Sequence, residues 1–92
     1  MTEAPILARA TTSTTFRVTA DDDPGALVRI LGQFSGRNIV PDDVIATLSD
    51  GTLRVRIRVS GLVVPQARMI LWKIRSSPSV SAAKVTRHRK LT

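Results

Sequence analysis

The sequence predicts an α+β sandwich, a four-stranded antiparallel sheet with two helices on one face and its elements in the order β-α-β-β-α-β. Three observations carry this reading. An alternating segment from Phe16 runs into Asp21-Asp22-Asp23-Pro24-Gly25 and then into a helical stripe, which is a strand, a tight turn and a helix. Two further alternating segments meet at Asp50-Gly51, a dipeptide whose residues both tolerate the positive φ of a two-residue hairpin turn. A second helical stripe opened by Pro65 precedes a last β segment from Val80. Right-handed crossovers then place strands one and three in the centre, giving sheet order 4-1-3-2, the ferredoxin-like arrangement.

Each element has a local cause. Residues 1–13 lack sustained periodicity and read as a flexible tail, leaving a domain over 14–88 and a basic tail at 89–92. In the first strand Phe16, Val18 and Ala20 alternate with Arg17 and Thr19. Asp23 suits the N-cap of the first helix and Pro24 its first position, where a missing N–H is harmless. Leu27, Ile30, Leu31 and Phe34 form the core-facing stripe, and Gly36 to Asn38 end the helix before Pro41. The second strand covers Val44 to Ser49 and the third Thr52 to Ser60. In the third, Leu53, Val55, Ile57 and Val59 face one side and Arg54, Arg56 and Arg58 the other. The second helix carries Ala67, Ile70, Leu71 and Ile74 and stops at Ser76-Ser77-Pro78; the last strand ends near His88.

Composition narrows the chemistry. The 92 residues make one domain, with 14 Lys+Arg against 7 Asp+Glu and a formal charge of +7, which raises nucleic acid or an acidic protein surface as a partner. There is no cysteine, which excludes a disulfide framework or a cysteine metal site and fits a reducing, cytoplasmic setting. No apolar run reaches the length of a membrane span and no signal-like start is present, so no membrane association is expected.

The turn after the first strand is the first candidate site. A helix start with a bare glycine presents unpaired donors and partial positive charge, which favour a carboxylate or phosphate. Strand two (Val44, Ile45, Ala46, Thr47, Leu48) is an edge strand with no charge or proline to blunt it, so it is expected to pair with its own copy in a two-fold dimer. The first helix is expected to lie over that edge and bring the Asp22–Gly25 turn near the partner chain. The helix-free sheet face should display Arg17, Arg54, Arg56, Arg58 and Lys84. Its lack of aromatics argues against nucleic acid as a partner and leaves docking to an acidic protein region, or plain solvation. Asp21, Asp22 and Asp23 cannot converge on one ion unaided, although Asp50 lies at the same end of the sheet, and His88 has no carboxylate to orient it. Trp72 reads as a core-edge or interface residue. With no nucleophile–base pair and no metal set, neither an enzyme nor a cofactor is expected.

Within this β-α-β-β-α-β frame, Asp22-Asp23-Pro24-Gly25-Ala26-Leu27 resembles the ACT domain family. The segment from Pro24 to Arg37 is most similar to the small regulatory subunit of acetohydroxyacid synthase (acetolactate synthase). The likeness covers residues 14 to 88, with its strongest part in 22 to 37. The resemblance implies a homodimer bound to a large, thiamine-diphosphate-dependent catalytic subunit in branched-chain amino-acid biosynthesis. It also implies a small amino acid such as valine, leucine or isoleucine held at the dimer interface by the first turn. The ligand residues it implies are Asp22, Asp23, Gly25, Ala26 and Leu27, with the Gly25 and Ala26 N–H groups on the ligand carboxylate. Asp22 stands where the family usually has Asn, which favours an ammonium and repels a carboxylate. A second Asn is replaced by Val40, and Asn38 stands where a helix-ending glycine is expected. These departures, with the single domain, make the chain look most like short subunits that activate without strong valine inhibition. A stand-alone amino-acid-binding ACT domain with another partner, and a nucleic-acid-binding module using the basic sheet face, are the alternatives.

Overall fold

Strand formation starts earlier than the apolar alternation suggests. The structure, a computed structural model, describes residues 10–91, and its first strand β1 spans Ala10–Asp21. Part of the expected tail is therefore strand, and the rest of it lies outside the described residues. The cause is the run Thr11-Thr12-Ser13-Thr14-Thr15, polar but rich in β-branched residues that suit a pleated ladder. It pairs antiparallel with the end of the last strand, β4 (Val80–Leu91), which likewise runs past His88. Thr14 is fully buried and its Oγ1 accepts a hydrogen bond from Arg87 at 3.2 Å, so a polar residue occupies an inward position where alternation looks for an apolar one.

The remaining elements are α1 (Ala26–Ser35), β2 (Asp43–Ser49), β3 (Thr52–Ser60) and α2 (Val64–Arg75). Helix α1 begins later than expected: its N-cap is Gly25, not Asp23. Asp23 and Pro24 form a preceding turn, closed by the Ala26 N–H on the Asp23 carbonyl at 2.9 Å. At the other end Gly36 keeps right-handed geometry and Asn38 takes the left-handed one, at φ 58°. Bonds from Asn38 N to Ser35 O and from Ile39 N to Phe34 O, both 3.0 Å, close a Schellman cap. The Asp50-Gly51 turn has φ of 52° and 73°, as a two-residue hairpin requires.

The sheet order is β2-β3-β1-β4, the expected 4-1-3-2 read from the other edge. Its core lies between the central strands and the helices. Phe16, Val18 and Ala20 from β1 meet Val55, Ile57 and Val59 from β3, Ala26, Ile30 and Phe34 from α1, and Ala67, Ile70 and Ile74 from α2. Phe16 and Phe34 pack edge to face with ring centres 5.1 Å apart. The expected α1 stripe is rotated slightly, with Ala26 buried and Leu27 and Leu31 half-buried at its margin. Helix α1 packs against α2, and α2 against β4.

Strand β2 is left uncovered on both faces. Val44, Ala46 and Leu48 share the helix side of the sheet by register with Ile57, Val55 and Leu53, yet all three are exposed. Helix α1 therefore borders the β2 edge without lying over it, a departure from the expected cover. Two helices that bury β1 and β3 have no width left for the edge. Trp72 is 64% exposed on α2, whereas Ile70 beside it is fully buried. Ile70→Ala should lower unfolding stability by about 2–5 kcal/mol in urea titration, with Trp72→Ala changing it by less than about 1 kcal/mol. Equal effects would contradict this placement of the core.

Candidate functional site

The turn between β1 and α1 is built around one ion pair. The Asp23 carboxylate uses Oδ1 to accept the Gly25 N–H at 3.0 Å, an Asx turn, and Oδ2 to accept from the Arg29 guanidinium. Arg29 lies one turn inside α1, and helical side chains lean toward the N-terminus, so its head reaches back over the turn. There it also donates to Ser79 Oγ at 2.7 Å, tying α1 to the residue that precedes β4. The Asp21 N–H donates to the Ser79 carbonyl at 2.9 Å and fastens the end of β1 to the same point. The guanidinium lies across Gly25: a Cβ there would sit 2.5 Å from Arg29 Nη1. A cation at a helix N-terminus opposes the helix dipole, and Asp23 neutralises it.

This arrangement changes the donors open to a ligand. The Gly25 and Ala26 N–H groups both serve Asp23, through its side chain and its carbonyl. The Leu27 and Val28 N–H groups make no hydrogen bond among the described residues. Ala26 is buried, Leu27 half-buried, and Asp22 exposed with no side-chain partner among the described residues. Arg29 and Ser79 were absent from the residues expected at the turn. Arg29 could have been found from its spacing, four residues beyond the helix-opening glycine; Ser79 had no local signal, because it arrives from the far end of the chain.

Along the later part of α1, an apolar groove of about 480 Å³ runs between the helix and the start of β2, lined by Val28, Leu31 and Gly32 on one side and Ile39, Pro41 and Val44 on the other; the Asp22–Gly25 turn does not line it. Val28 is 71% and Leu48 62% exposed, so the groove and the edge form a continuous apolar margin. The five β2 residues expected at an interface, Val44 to Leu48, are thus all exposed along one unpaired edge.

On the opposite side of the sheet Arg54, Arg56 and Arg58 are exposed as expected, but they are not equivalent. Arg58 is held by the Asp43 carboxylate, with Nε to Oδ2 at 3.0 Å, and that partner raises its pKa further. His88 is exposed on the same face by register with Ser13. Among the described residues no group of three or more His, Cys, Asp or Glu side chains could hold a metal ion. No described helix is long and apolar enough to cross a membrane.

The Gly25 N–H and the Arg29 guanidinium hold the Asp23 pKa below the usual carboxylate value. A depressed folded-state pKa stabilises the fold at pH above the unfolded value, about 4, and that contribution is lost as pH falls through the lower folded value. Asp23→Asn should therefore flatten the acid limb of a denaturation-midpoint-against-pH curve. An unchanged acid limb would show that the pair contributes nothing.

A family model described as an ACT-like domain matches residues 7–91. No curated protein matches in sequence. Among solved structures, the ACT domain from GTP pyrophosphokinase of Chlorobium tepidum superposes with a TM-score of 0.71 at 15% identity, over 80% of this chain and 96% of that one. The C-terminal domain of the MgtC protein from Mycobacterium tuberculosis gives 0.69 at 11% identity, over 90% and 94%. The regulatory subunit of aspartate kinase from Thermus thermophilus gives 0.64 at 12% identity, over 86% of this chain and 51% of that one. Likeness at such identities is likeness of fold, whereas the family model extends across β1 to β4 with the capped turn and both helices inside it. The chain belongs to the ACT-like domain family.

Proposed function

We propose that this chain is a non-catalytic regulatory subunit that dimerises through β2 and takes a small amino acid at the seam beside the Asp22–Gly25 turn. The observation that carries the reading is the bare β2 edge with its apolar margin, adjacent to a turn that already holds separated charges. A seven-residue edge strand, paired on one side only and with exposed Val44, Ile45 and Leu48, is a template for antiparallel addition of a second copy. A two-fold pairing there would extend the sheet and bring both α1 grooves together.

The charges at the turn suit a zwitterion. Arg29 and the Leu27 N–H form the cationic end, and Asp22 the anionic end, of a site for an α-amino acid. A ligand carboxylate competes with Asp23 for Arg29, while Asp22 receives the ammonium. Half-buried Leu27 and exposed Val28 on α1, with Leu48 at the end of β2 that lies on the turn's side of the sheet, favour a branched aliphatic side chain such as that of valine, leucine or isoleucine. The similarity of residues 22–37 to small subunits of acetohydroxyacid synthase supports the catalytic subunit of that thiamine-diphosphate-dependent synthase as the partner activated or stabilised. A stand-alone amino-acid sensor shares the same site and differs only in having another partner.

Sedimentation should show a dimer at micromolar concentration, and Leu48→Lys should make it monomeric without loss of helical signal; a monomeric wild type rejects the proposed seam. Calorimetry with valine, leucine and isoleucine should show binding that Arg29→Ala weakens at least about tenfold, the scale of one charge-assisted hydrogen bond. Added to a purified synthase catalytic subunit, the chain should raise its activity. Binding without activation would leave the stand-alone sensor, and neither result would dismiss both readings.

A further inference from the structure

We propose that the helix-free face of the sheet docks an extended acidic segment of a partner protein, laid along β3. This surface is separate from the amino-acid seam and stands or falls independently of it.

Arg17 in β1 lies directly opposite Arg56 in β3 and directly opposite Lys84 in β4, so three cations stand abreast in one row. Arg54 follows on the same face of β3. All four are exposed. Among the described residues only Arg58 on this face has a carboxylate partner, Asp43; none of the other four does. Like charges directly opposed across a ladder destabilise a sheet, so the row is a standing expense that an anionic partner would relieve. Together with Ile45 and Thr47 of the neighbouring edge strand β2, the cations line a hollow of about 350 Å³.

The shape and chemistry favour a peptide over a nucleic acid. Phe16 and Phe34 are sealed in the core on the other side of the sheet and Trp72 lies on α2, so no Phe or Trp ring lies on this face to stack a base, and its one imidazole, His88, stands four residues along β4 from Lys84. The backbone N–H groups of central strands are spent in the ladders and form no phosphate-cradling nest. Along β3, Arg54 and Arg56 are two residues apart, about 6.6 Å, the same interval at which an extended peptide repeats its side chains on one face. Acidic residues at alternate positions therefore meet successive arginines, with intervening small side chains over Ile45 and Thr47. Arg17 and Lys84 add a second rank of cations behind them.

The test is fluorescence anisotropy on the full chain at low salt, with a labelled peptide alternating aspartate and threonine. It should bind, and a peptide of the same composition with its aspartates in one block should bind more weakly. The double variant Arg54→Gln/Arg56→Gln should weaken binding about tenfold, the sum of two exposed ion pairs. Lys84→Gln should weaken it less, and Arg68→Gln on the solvent side of α2 should leave it unchanged. Loss of affinity in the Arg68 variant equal to that in the others, equal affinity for the blocked peptide, tighter binding of single-stranded RNA or inorganic polyphosphate, or no binding at all would each overturn the proposal.

Discussion

Two short helices cannot cover a four-stranded sheet, and the rest of this molecule follows from that mismatch. The helices bury the inner faces of β1 and β3, where Phe16, Val18, Val55 and Ile57 concentrate the apolar surface. Burial is favoured where the largest contiguous apolar area can be removed from water, so the helices settle over the centre. What remains is an exposed edge at β2 and a whole sheet face without cover. Both leftovers are rich in unmet potential, one in backbone hydrogen bonds and apolar side chains, the other in positive charge.

The turn before α1 shows how a small domain balances charge at a helix start. Three consecutive aspartates would repel one another, but Asp23 is drawn into the turn by the Gly25 N–H and the Arg29 guanidinium. Ser79, just before β4, joins the pair, so the charge that balances the helix start also ties α1 to the entry of β4. Both ionised partners remain about half exposed.

Much of this was written in the order of residues. The complete alternation of β3, with Arg54, Arg56 and Arg58 opposite Val55, Ile57 and Val59, states which face is wet and which is dry. The Asp50-Gly51 pair needs no tertiary help to turn, because both residues accept positive φ. The apolar stripes at 30 and 34, and at 67, 70 and 74, likewise place the helices on one side. These are local properties, repeated at periods that a chain of any fold would obey.

Other features depend on where distant segments meet. The threonine run before Phe16 has strand propensity but no apolar pattern, and becomes strand because the last residues of β4 arrive beside it. Asp23 reads as a helix cap from its neighbours; the helix starts at Ala26 because Arg29 and Ser79 hold Asp23 in a turn of its own. Arg58 matches Arg54 and Arg56 in the sequence, and only the β2–β3 register, which sets Asp43 beside it, removes it from the unpaired set. Period and propensity act within a few residues and so belong to the sequence alone. Charge pairing and edge exposure are decided by contacts between separate elements, such as Asp43 with Arg58 fifteen positions on and Arg29 with Ser79 fifty positions on, which exist only once the sheet has formed.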